Sequence, residues 1–343
     1  MLEHGGRLRQ AASRYGIPLS NWLDLSTGIN PNGWQVPALP AECWQRLPED
    51  DDELLPAARN YYRNDSLLEV AGSQAAIQTL PLLRPVSRVG VLHPAYAEHA
   101  AGWRKAGHQL LVVDAEAIES RLDELDVLIV INPNNPTGKL WRPEQLLNWH
   151  ERLAARGGWL IVDEAFMDGR PEHSLSPLPV KQGLIVLRSI GKFFGLAGIR
   201  CGFVIAESSL LERLAEQLGP WGISYPSRYV AAKALADVEW QQATASALRE
   251  QGLRLENLLT DSGWPPNGGT DLFQWLKFER AADLHEMLAR QGIFTRLFDD
   301  PASLRFGLPK DEPGWQRLAQ ALAHPTVREL HSLAQPQSQA RQG

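Results

Sequence analysis

The stretch that decides the fold runs from Arg188 to Arg200 and reads RSIGKFFGLAGIR. The apolar run 184–187 precedes it, and a second apolar run follows at 201–206. Continuous apolar runs of this length predict buried strands, so Lys192 lies in the connection between two of them. Burial disfavours an ammonium group, lowers its pKa and leaves an amine that can form a Schiff base. The alternative is a loop lysine whose ammonium group reaches water.

The composition is that of an ordinary soluble globular chain. It has 343 residues, 44% of them hydrophobic and 22% charged, with a formal net charge of −6. Because there is no basic surplus and no apolar run of membrane-spanning length, we expect neither a nucleic-acid partner nor a membrane. Cys43 and Cys201 lie far apart and offer no metal-ligand spacing, so we expect reduced thiols and no metal site. The first residues do not resemble a signal peptide, which favours a cytoplasmic protein.

Outward from this stretch, apolar strands alternate with helical segments. The predicted strands are Leu67–Ala71, Val89–Leu92, Leu110–Val113, Val127–Ile131, Trp159–Val162, Leu184–Leu187 and Gly202–Ile205. This alternation predicts an α/β fold whose seven-stranded sheet is mainly parallel and covered on both faces.

Beyond residue 208 the pattern changes to a smaller α+β unit. We expect a long helix over Tyr229–Leu259 and then short strands over Leu272–Phe278, Phe294–Leu297 and Ser303–Phe306. The predicted division is a large cofactor-binding domain over 41–230 and a small domain made of 1–40 with 231–334. A polar tail over 335–343 is expected to be disordered.

Unusual polar residues stand where predicted strands end, which is where ligands gather in parallel sheets. Gly72-Ser73-Gln74 precedes a helix, so its backbone N–H groups can bind an anion, although most such steps are plain turns. Tyr96 follows another strand and can stack on a flat ligand, or pack on the next helix. The turn NPNNPTG over 132–138 is rigid and displays asparagine amides.

Asp163 directly follows the buried strand Trp159–Val162, where a carboxylate is costly unless it has a partner. A protonated pyridine nitrogen would be such a partner; an arginine or a metal ion are the alternatives, and no His or Cys cluster with ligand spacing stands nearby. Pyridoxal phosphate requires a lysine for its aldehyde, an acid at its ring nitrogen and an anchored phosphate. We therefore predict pyridoxal 5'-phosphate as the cofactor.

Three motifs carry a resemblance to a known family. Asn135-Pro136-Thr137-Gly138, Asp163-Glu164-Ala165 and Ser189-Ile190-Gly191-Lys192 with Arg200 occur in the order and spacing of the fold-type I pyridoxal-phosphate enzymes, the class I/II aminotransferase family. The resemblance covers roughly residues 20 to 325. Each motif alone is weak, and the set is highly specific.

The resemblance implies roles for these residues. Lys192 would bind the cofactor's aldehyde and move the proton at the substrate α-carbon, and Asp163 would pair with the ring nitrogen. Tyr96 would stack on the ring, and Asn135 would bond its phenolic oxygen and lie at the substrate. The phosphate would be held by Ser73, Gln74, Ser189 and Arg200.

The resemblance also implies a substrate-binding arginine and a homodimer. Arg305 matches the arginine that takes the substrate α-carboxylate, a task that suits a planar guanidinium. If Arg305 holds that carboxylate perpendicular to the cofactor ring, carbon dioxide leaves; if it holds it in the ring plane, transamination follows.

Within the family, the segments HGGR at 4–7 and LDLSTGINP at 23–31 resemble the start of the L-threonine-O-3-phosphate decarboxylases. Phe166 supports this, since aminotransferases usually carry a tyrosine there. The implied reaction converts L-threonine O-3-phosphate to (R)-1-amino-2-propanol O-phosphate and carbon dioxide for cobalamin biosynthesis. Arg296 and His4 would bind the substrate phosphate, although His4 could also be a solvated terminus.

Two alternatives stay open: a histidinol-phosphate-type aminotransferase, and a non-catalytic regulator with the same fold. Retention of Lys192 and Asp163 argues against the regulator. The chain also departs from the family pattern, with Gly191 before the lysine, Gly28 in place of an asparagine and Leu47 in place of a tyrosine that reaches the neighbouring subunit.

Overall fold

The computed structural model describes residues 5–327 and residue 330. The strands are β1 (Leu23–Asp24), β2 (Leu67–Val70), β3 (Arg88–Leu92), β4 (Gln109–Val113), β5 (Val127–Ile131), β6 (Trp159–Asp163), β7 (Leu184–Ser189), β8 (Gly202–Ile205), β9 (Gly268–Thr270), β10 (Phe273–Lys277), β11 (Ile293–Phe294), β12 (Arg296–Asp299) and β13 (Ala302–Gly307). The α-helices are α1 (Leu8–Tyr15), α2 (Glu42–Gln45), α3 (Leu54–Tyr62), α4 (Ser73–Thr79), α5 (Ala97–Lys105), α6 (Ile118–Arg121), α7 (Pro143–Ala154), α8 (Ser208–Leu218), α9 (Tyr225–Ala236), α10 (Val238–Asp261), α11 (Ala281–Arg290) and α12 (Glu312–Leu322).

The larger of two compact units comprises residues 32–135 and 139–247. Its seven-stranded sheet has the order β2-β8-β7-β6-β5-β3-β4. Strands β3, β4, β5, β6 and β7 pair with one another in parallel, and β8 runs antiparallel to both β2 and β7. All residues of β5 and β6 are buried, as expected for strands covered on both faces. The predicted mainly parallel α/β sheet is confirmed.

The pairing of β5, β6 and β7 brings their carboxyl ends to one edge of this sheet. Asp163 stands beside Ile131 on one side and Leu187 on the other. Backbone bonds continue past the strands, because the Asn132 N–H donates to the Asp163 carbonyl at 2.8 Å and the Glu164 N–H donates to the Leu187 carbonyl at 2.9 Å. The polar residues that follow these three strands therefore start from fixed positions.

The second unit comprises residues 1–31, 136–138 and 248–343. It holds an antiparallel sheet of order β12-β13-β10-β9 and a parallel pair of β1 with β11. This unit has the α+β character predicted for the smaller unit, but α8 and α9, the first helices after residue 208, fall in the larger unit. The predicted domain bounds, 41–230 and 1–40 with 231–334, stay a prediction, and the tail over 335–343 lies outside the described residues.

Two elements that were predicted to be continuous are each divided in two. The long helix over Tyr229–Leu259 is two helices, α9 and α10, because Asp237 interrupts it (φ −86°, ψ 78°). Its carboxylate accepts the Trp240 N–H at 3.1 Å, which caps α10, and the indole N–H of Trp34 at 2.9 Å.

The predicted strand Phe294–Leu297 is likewise divided. Its first part belongs to β11, which pairs with β1, and its second part belongs to β12, which pairs with β13. Thr295 lies between them, buried, with its hydroxyl 2.8 Å from Nδ1 of His285. The chain therefore changes partner sheets at Thr295.

Within the described residues, every helix is too short or too polar to cross a membrane. The same residues contain no group of three or more His, Cys, Asp or Glu side chains placed to hold a metal ion.

Candidate active site

Asp163 ends β6 as a buried carboxylate with two partners. Its Oδ2 lies 2.8 Å from Nε2 of His99, and its Oδ1 accepts the Ala165 N–H at 3.0 Å. A carboxylate has about four lone-pair sites, so these contacts leave capacity for a further donor. The partner is neither of the expected alternatives, an arginine or a metal ion, but a histidine.

His99 is a residue that sequence reasoning missed. It lies on α5 three residues after Tyr96, which is the N-cap of that helix and has an extended backbone. The ring centroids of Tyr96 and His99 are 6.3 Å apart. Nothing in the sequence indicates that His99 reaches Asp163.

Tyr96 and Gln74 are linked to each other at the same edge of the sheet. The Tyr96 hydroxyl donates to Oε1 of Gln74 at 3.3 Å, and the amide of Gln74 donates to Glu98 at 2.9 Å. Burial, together with the nearby Glu98 and Asp163 carboxylates, raises the pKa of Tyr96 to about 12. The Tyr96 hydroxyl therefore keeps its proton at neutral pH.

Gly72, Ser73 and Arg200 form a set of donors suited to a phosphate group. Gly72 has φ +70°, and a Cβ added there would lie 2.7 Å from Nη2 of Arg200. A Cβ at Gly202 would lie 2.8 Å from the Ser73 nitrogen, so only a glycine leaves this N–H accessible. Backbone N–H, hydroxyl and guanidinium donors are the groups that bind phosphate, and the residues present fit the cofactor.

Lys192 lies half-buried in the loop after β7, with Nζ 5.4 Å from the centre of the Phe166 ring. Ser189 is the last residue of β7, and its Oγ accepts the Gly191 N–H at 3.3 Å. A Cβ at Gly191 would lie 3.2 Å from the Cα of Ala197, so a larger residue before the lysine would require a small shift of Ala197.

The turn that carries Asn135 is held on both sides by side-chain bonds. Asn132 bonds the backbone of Trp141 twice, at 2.9 and 3.1 Å. The Asn134 amide donates to the Pro94 carbonyl at 3.0 Å. Asn135 itself is half-buried.

Two arginines stand side by side in the smaller unit. Arg296 of β12 is the cross-strand partner of Arg305 of β13, which places both side chains on one face of the sheet. Arg305 is buried and donates to the Ser26 carbonyl at 2.8 Å. Burial and the neighbouring Arg296 lower the pKa of Arg305 to about 9, against the opposing effect of Asp24. An anion bound by both guanidinium groups would stabilise the charged form.

His4 lies outside the described residues, but the two glycines that follow it are described. A Cβ at Gly5 would lie 2.3 Å from the Ser26 carbonyl oxygen, and Gly6 has φ +79°. The Gly6 N–H donates to the Ser26 hydroxyl at 2.8 Å. The N-terminal segment therefore lies against Ser26, the residue that Arg305 also contacts.

The two other departures from the family pattern are Gly28 and Leu47. Gly28 has φ +62°, a conformation that favours glycine. Leu47 is 62% exposed.

Comparison with known proteins supports this picture. The family model "Aminotransferase class I and II" matches residues 47–332. A threonine-phosphate decarboxylase of Pseudomonas aeruginosa is 58% identical over 322 residues, which are 94% of this chain and 97% of that protein. A threonine-phosphate decarboxylase of Sinorhizobium sp is 44% identical, with 93% and 97% covered.

A crystal structure of histidinol-phosphate aminotransferase from Sinorhizobium meliloti, in complex with pyridoxal-5'-phosphate, superposes with a TM-score of 0.81. It is 19% identical and covers 96% of both chains, which shows the shared fold. Since the family model and both decarboxylase relatives extend over most of the sequence, this chain belongs to the aminotransferase class I and II family.

Proposed function

We propose that this chain is a pyridoxal-phosphate-dependent decarboxylase of L-threonine O-3-phosphate. The products would be (R)-1-amino-2-propanol O-phosphate and carbon dioxide, a step of cobalamin biosynthesis. The observation that carries the proposal is the 58% identity, over 94% of the chain, to a threonine-phosphate decarboxylase. Two groups of residues also support the proposal: the strand-end residues of the larger unit and the paired arginines of the smaller unit.

In the larger unit, the residues at the strand ends would hold the cofactor. When bound, pyridoxal phosphate accepts the electron pair that remains as a bond to the substrate α-carbon breaks. The Lys192 amine would hold its aldehyde, and Asp163 would face its ring nitrogen. His99 and the Ala165 N–H keep the Asp163 carboxylate in place.

The other assigned cofactor contacts also lie in this unit. We assign the ring face to Tyr96 and the phenolic oxygen to Asn135. The phosphate is assigned to Ser73, Gln74, Ser189 and Arg200. Phe166, whose ring centre lies 5.4 Å from Nζ of Lys192, has no hydroxyl that could bond the ring oxygen.

In the smaller unit, Arg296 and Arg305 would bind anionic groups of the substrate. We assign the α-carboxylate to Arg305 and the phosphate to Arg296, with His4 as a further phosphate ligand. The substrate contact predicted for Asn135 stays a prediction. A phosphorylated amino acid carries both anions, and adjacent guanidinium groups match their charge.

The function is tested by incubating the protein, loaded with pyridoxal phosphate, with L-threonine O-3-phosphate. Carbon dioxide and aminopropanol phosphate should form without any 2-oxo acid. Histidinol phosphate with 2-oxoglutarate is run in parallel. Glutamate formation there, with no carbon dioxide from threonine phosphate, would make the chain an aminotransferase instead.

Replacing Arg305 by lysine is expected to raise the KM for L-threonine O-3-phosphate by about tenfold or more, since the bidentate fork is lost. Cofactor absorbance should not change. The matched control is Arg290→Lys, an exposed residue of the same unit that pairs with Glu286 at 2.9 Å. An unaltered KM in Arg305→Lys would contradict the assignment of the carboxylate to this residue.

We further propose a cytoplasmic homodimer, formed through an apolar groove of the larger unit. The groove has a volume of about 580 Å³, and Trp44, Leu47 and Trp221 on its border are 69%, 62% and 62% exposed. Side chains of this size are seldom left in water together. Cell fractionation that finds the protein outside the cytoplasm would contradict the proposed location.

Replacing Trp221 by glutamate is expected to convert the dimer to a monomer, because a buried unpaired charge is costly at an interface. Light scattering during gel filtration measures the mass. The control is Leu253→Glu, which alters a 59% exposed leucine of the other unit and should leave the dimer intact. A wild-type mass equal to one chain would refute the dimer.

A further inference from the structure

A buried ion cluster lies directly beside the proposed cofactor residues. The Arg188 cluster consists of Arg188, Glu164 and Asp168, whose side chains are at most 2% exposed. Arg188 donates through Nη1 to Glu164 at 2.6 Å and through Nη2 to Asp168 at 2.5 Å. One planar guanidinium thus joins two carboxylates that stand four residues apart in the chain.

Further donors complete the Glu164 end of the cluster. Its carboxylate accepts the Ser174 hydroxyl at 2.5 Å, the Leu175 N–H at 2.7 Å and the Ser176 hydroxyl at 3.3 Å. These bonds fix the Glu164 side chain in one position.

Stability alone does not explain the Arg188 cluster. A buried ion pair is often no more stable than apolar side chains of the same volume. Moreover, Oδ2 of Asp168 and Nε of Arg188 are buried and find no hydrogen-bond partner within residues 5–327 and 330, which carries a further cost. The segments that the cluster connects indicate a second role.

The first connection is between the ends of β6 and β7. Glu164 directly follows Asp163, and Arg188 directly precedes Ser189, the last residue of β7 before the Lys192 loop. The Arg188–Glu164 bond therefore joins the backbone on which Asp163 is carried to the backbone that leads into Lys192.

The second connection reaches the other side of the loop. The Tyr61 hydroxyl donates to Asp168 at 3.0 Å, and the Tyr61 ring meets the Phe194 ring edge-on at a centroid distance of 5.6 Å. Phe194 is fully buried, stacks on Trp240 at 5.5 Å and stands two residues past Lys192. The Arg188 cluster thus contacts the chain before Lys192 directly and the chain after it through Tyr61.

We propose that Arg188, Glu164 and Asp168 are positioning residues that set the spacing between the Asp163 carboxylate and the Lys192 amine. This inference rests on the proposed function, which assigns both groups to the cofactor. When reacting groups are misplaced by about 1 Å, the rate can fall about 100-fold. Misplacement also changes the pH at which the absorbance of the bound cofactor titrates, because the charge near its ring moves.

The test compares Arg188→Lys with Arg228→Lys. Lysine keeps the charge but cannot join two carboxylates as a planar fork does. Arg228 is a matched control, since it is a 3% exposed arginine of the same unit that bridges Asp52 at 2.6 Å and Glu69 at 2.8 Å. Neither carboxylate is among the proposed cofactor residues.

Both variants are expected to unfold at a lower temperature. Only Arg188→Lys should lower kcat, by about tenfold or more at an unchanged KM, and shift the pH midpoint of the cofactor absorbance. A kcat and a midpoint equal to those of Arg228→Lys would overturn the proposal, because the cluster would then be structural only.

If Arg188→Lys does not fold, Tyr61→Phe decides the question. This substitution keeps the aromatic ring at position 61 against Phe194 and removes only the hydrogen bond to Asp168. A shifted pH midpoint of the cofactor absorbance would support the proposal, and an unchanged midpoint would overturn it. Failure of the unmutated chain to bind pyridoxal phosphate would overturn this inference together with the proposed function. Bound cofactor without decarboxylation would overturn the function alone, and the midpoint would still test the cluster.

Discussion

Replacing Lys192 by alanine is expected to lower the rate of carbon dioxide release by about 1000-fold or more, since the lysine is the proposed proton-transfer group. It also removes the amine that would hold the cofactor's aldehyde. The measurement is a rate assay combined with borohydride reduction and peptide mass analysis. In the unmutated chain, the cofactor mass should appear on the peptide that contains Lys192.

The control for this experiment is Lys181→Ala. Lys181 pairs with Glu151 at 3.3 Å, is partly exposed and precedes the strand that leads to Lys192. This variant should retain both the rate and the labelled peptide. Carbon dioxide release at the normal rate by Lys192→Ala, or cofactor trapped on a different lysine, would refute the assignment.

Replacing Asp163 by asparagine is expected to lower kcat by about 100-fold or more, as is usual when a preorganised charge is removed from a buried site. Asparagine keeps the size of the side chain and can still accept a bond from His99 or from the Ala165 N–H. The fold should therefore survive while the negative charge at the end of β6 is lost. Steady-state kinetics and the dissociation of pyridoxal phosphate on dilution measure the effect, and both should change.

Asp126→Asn serves as its control at the opposite end of the sheet. Asp126 directly precedes β5, and its carboxylate accepts the Arg88 N–H at 2.7 Å. Thermal unfolding and activity of this variant should remain close to those of the unmutated chain. Equal kcat values for the Asp163 and Asp126 variants would show that Asp163 does not act on the cofactor.

The part of the fold that was predictable from sequence is local. The strands Val127–Ile131 and Gly202–Ile205 have the predicted bounds, because a short unbroken apolar run that is rich in β-branched residues and followed at once by polar residues and turns favours a buried strand. Asp163 could be singled out for the same reason, since a carboxylate at the end of such a run needs a partner. Its role at the cofactor stays a prediction.

The helix break at Asp237 shows where local reasoning fails. Apolar and polar residues continue at helical spacing through this point, so the pattern predicts one helix. Asp237 has a local partner, because its carboxylate caps α10 through the Trp240 N–H, and a distant one, the indole N–H of Trp34 more than 200 residues away in the chain. Local propensity carries only the first of these contacts.

The sequence by itself determined the sheet, the motif residues and, through the resemblance, the cofactor. Tertiary structure decided which residues support them: His99 against Asp163, Arg296 beside Arg305, and Arg188 between Glu164 and Asp168. The physical reason is the distance along the chain between the residues that interact. Apolar periodicity records what each segment buries, whereas the partner of a buried charge is chosen by strand register and packing between segments far apart in the chain.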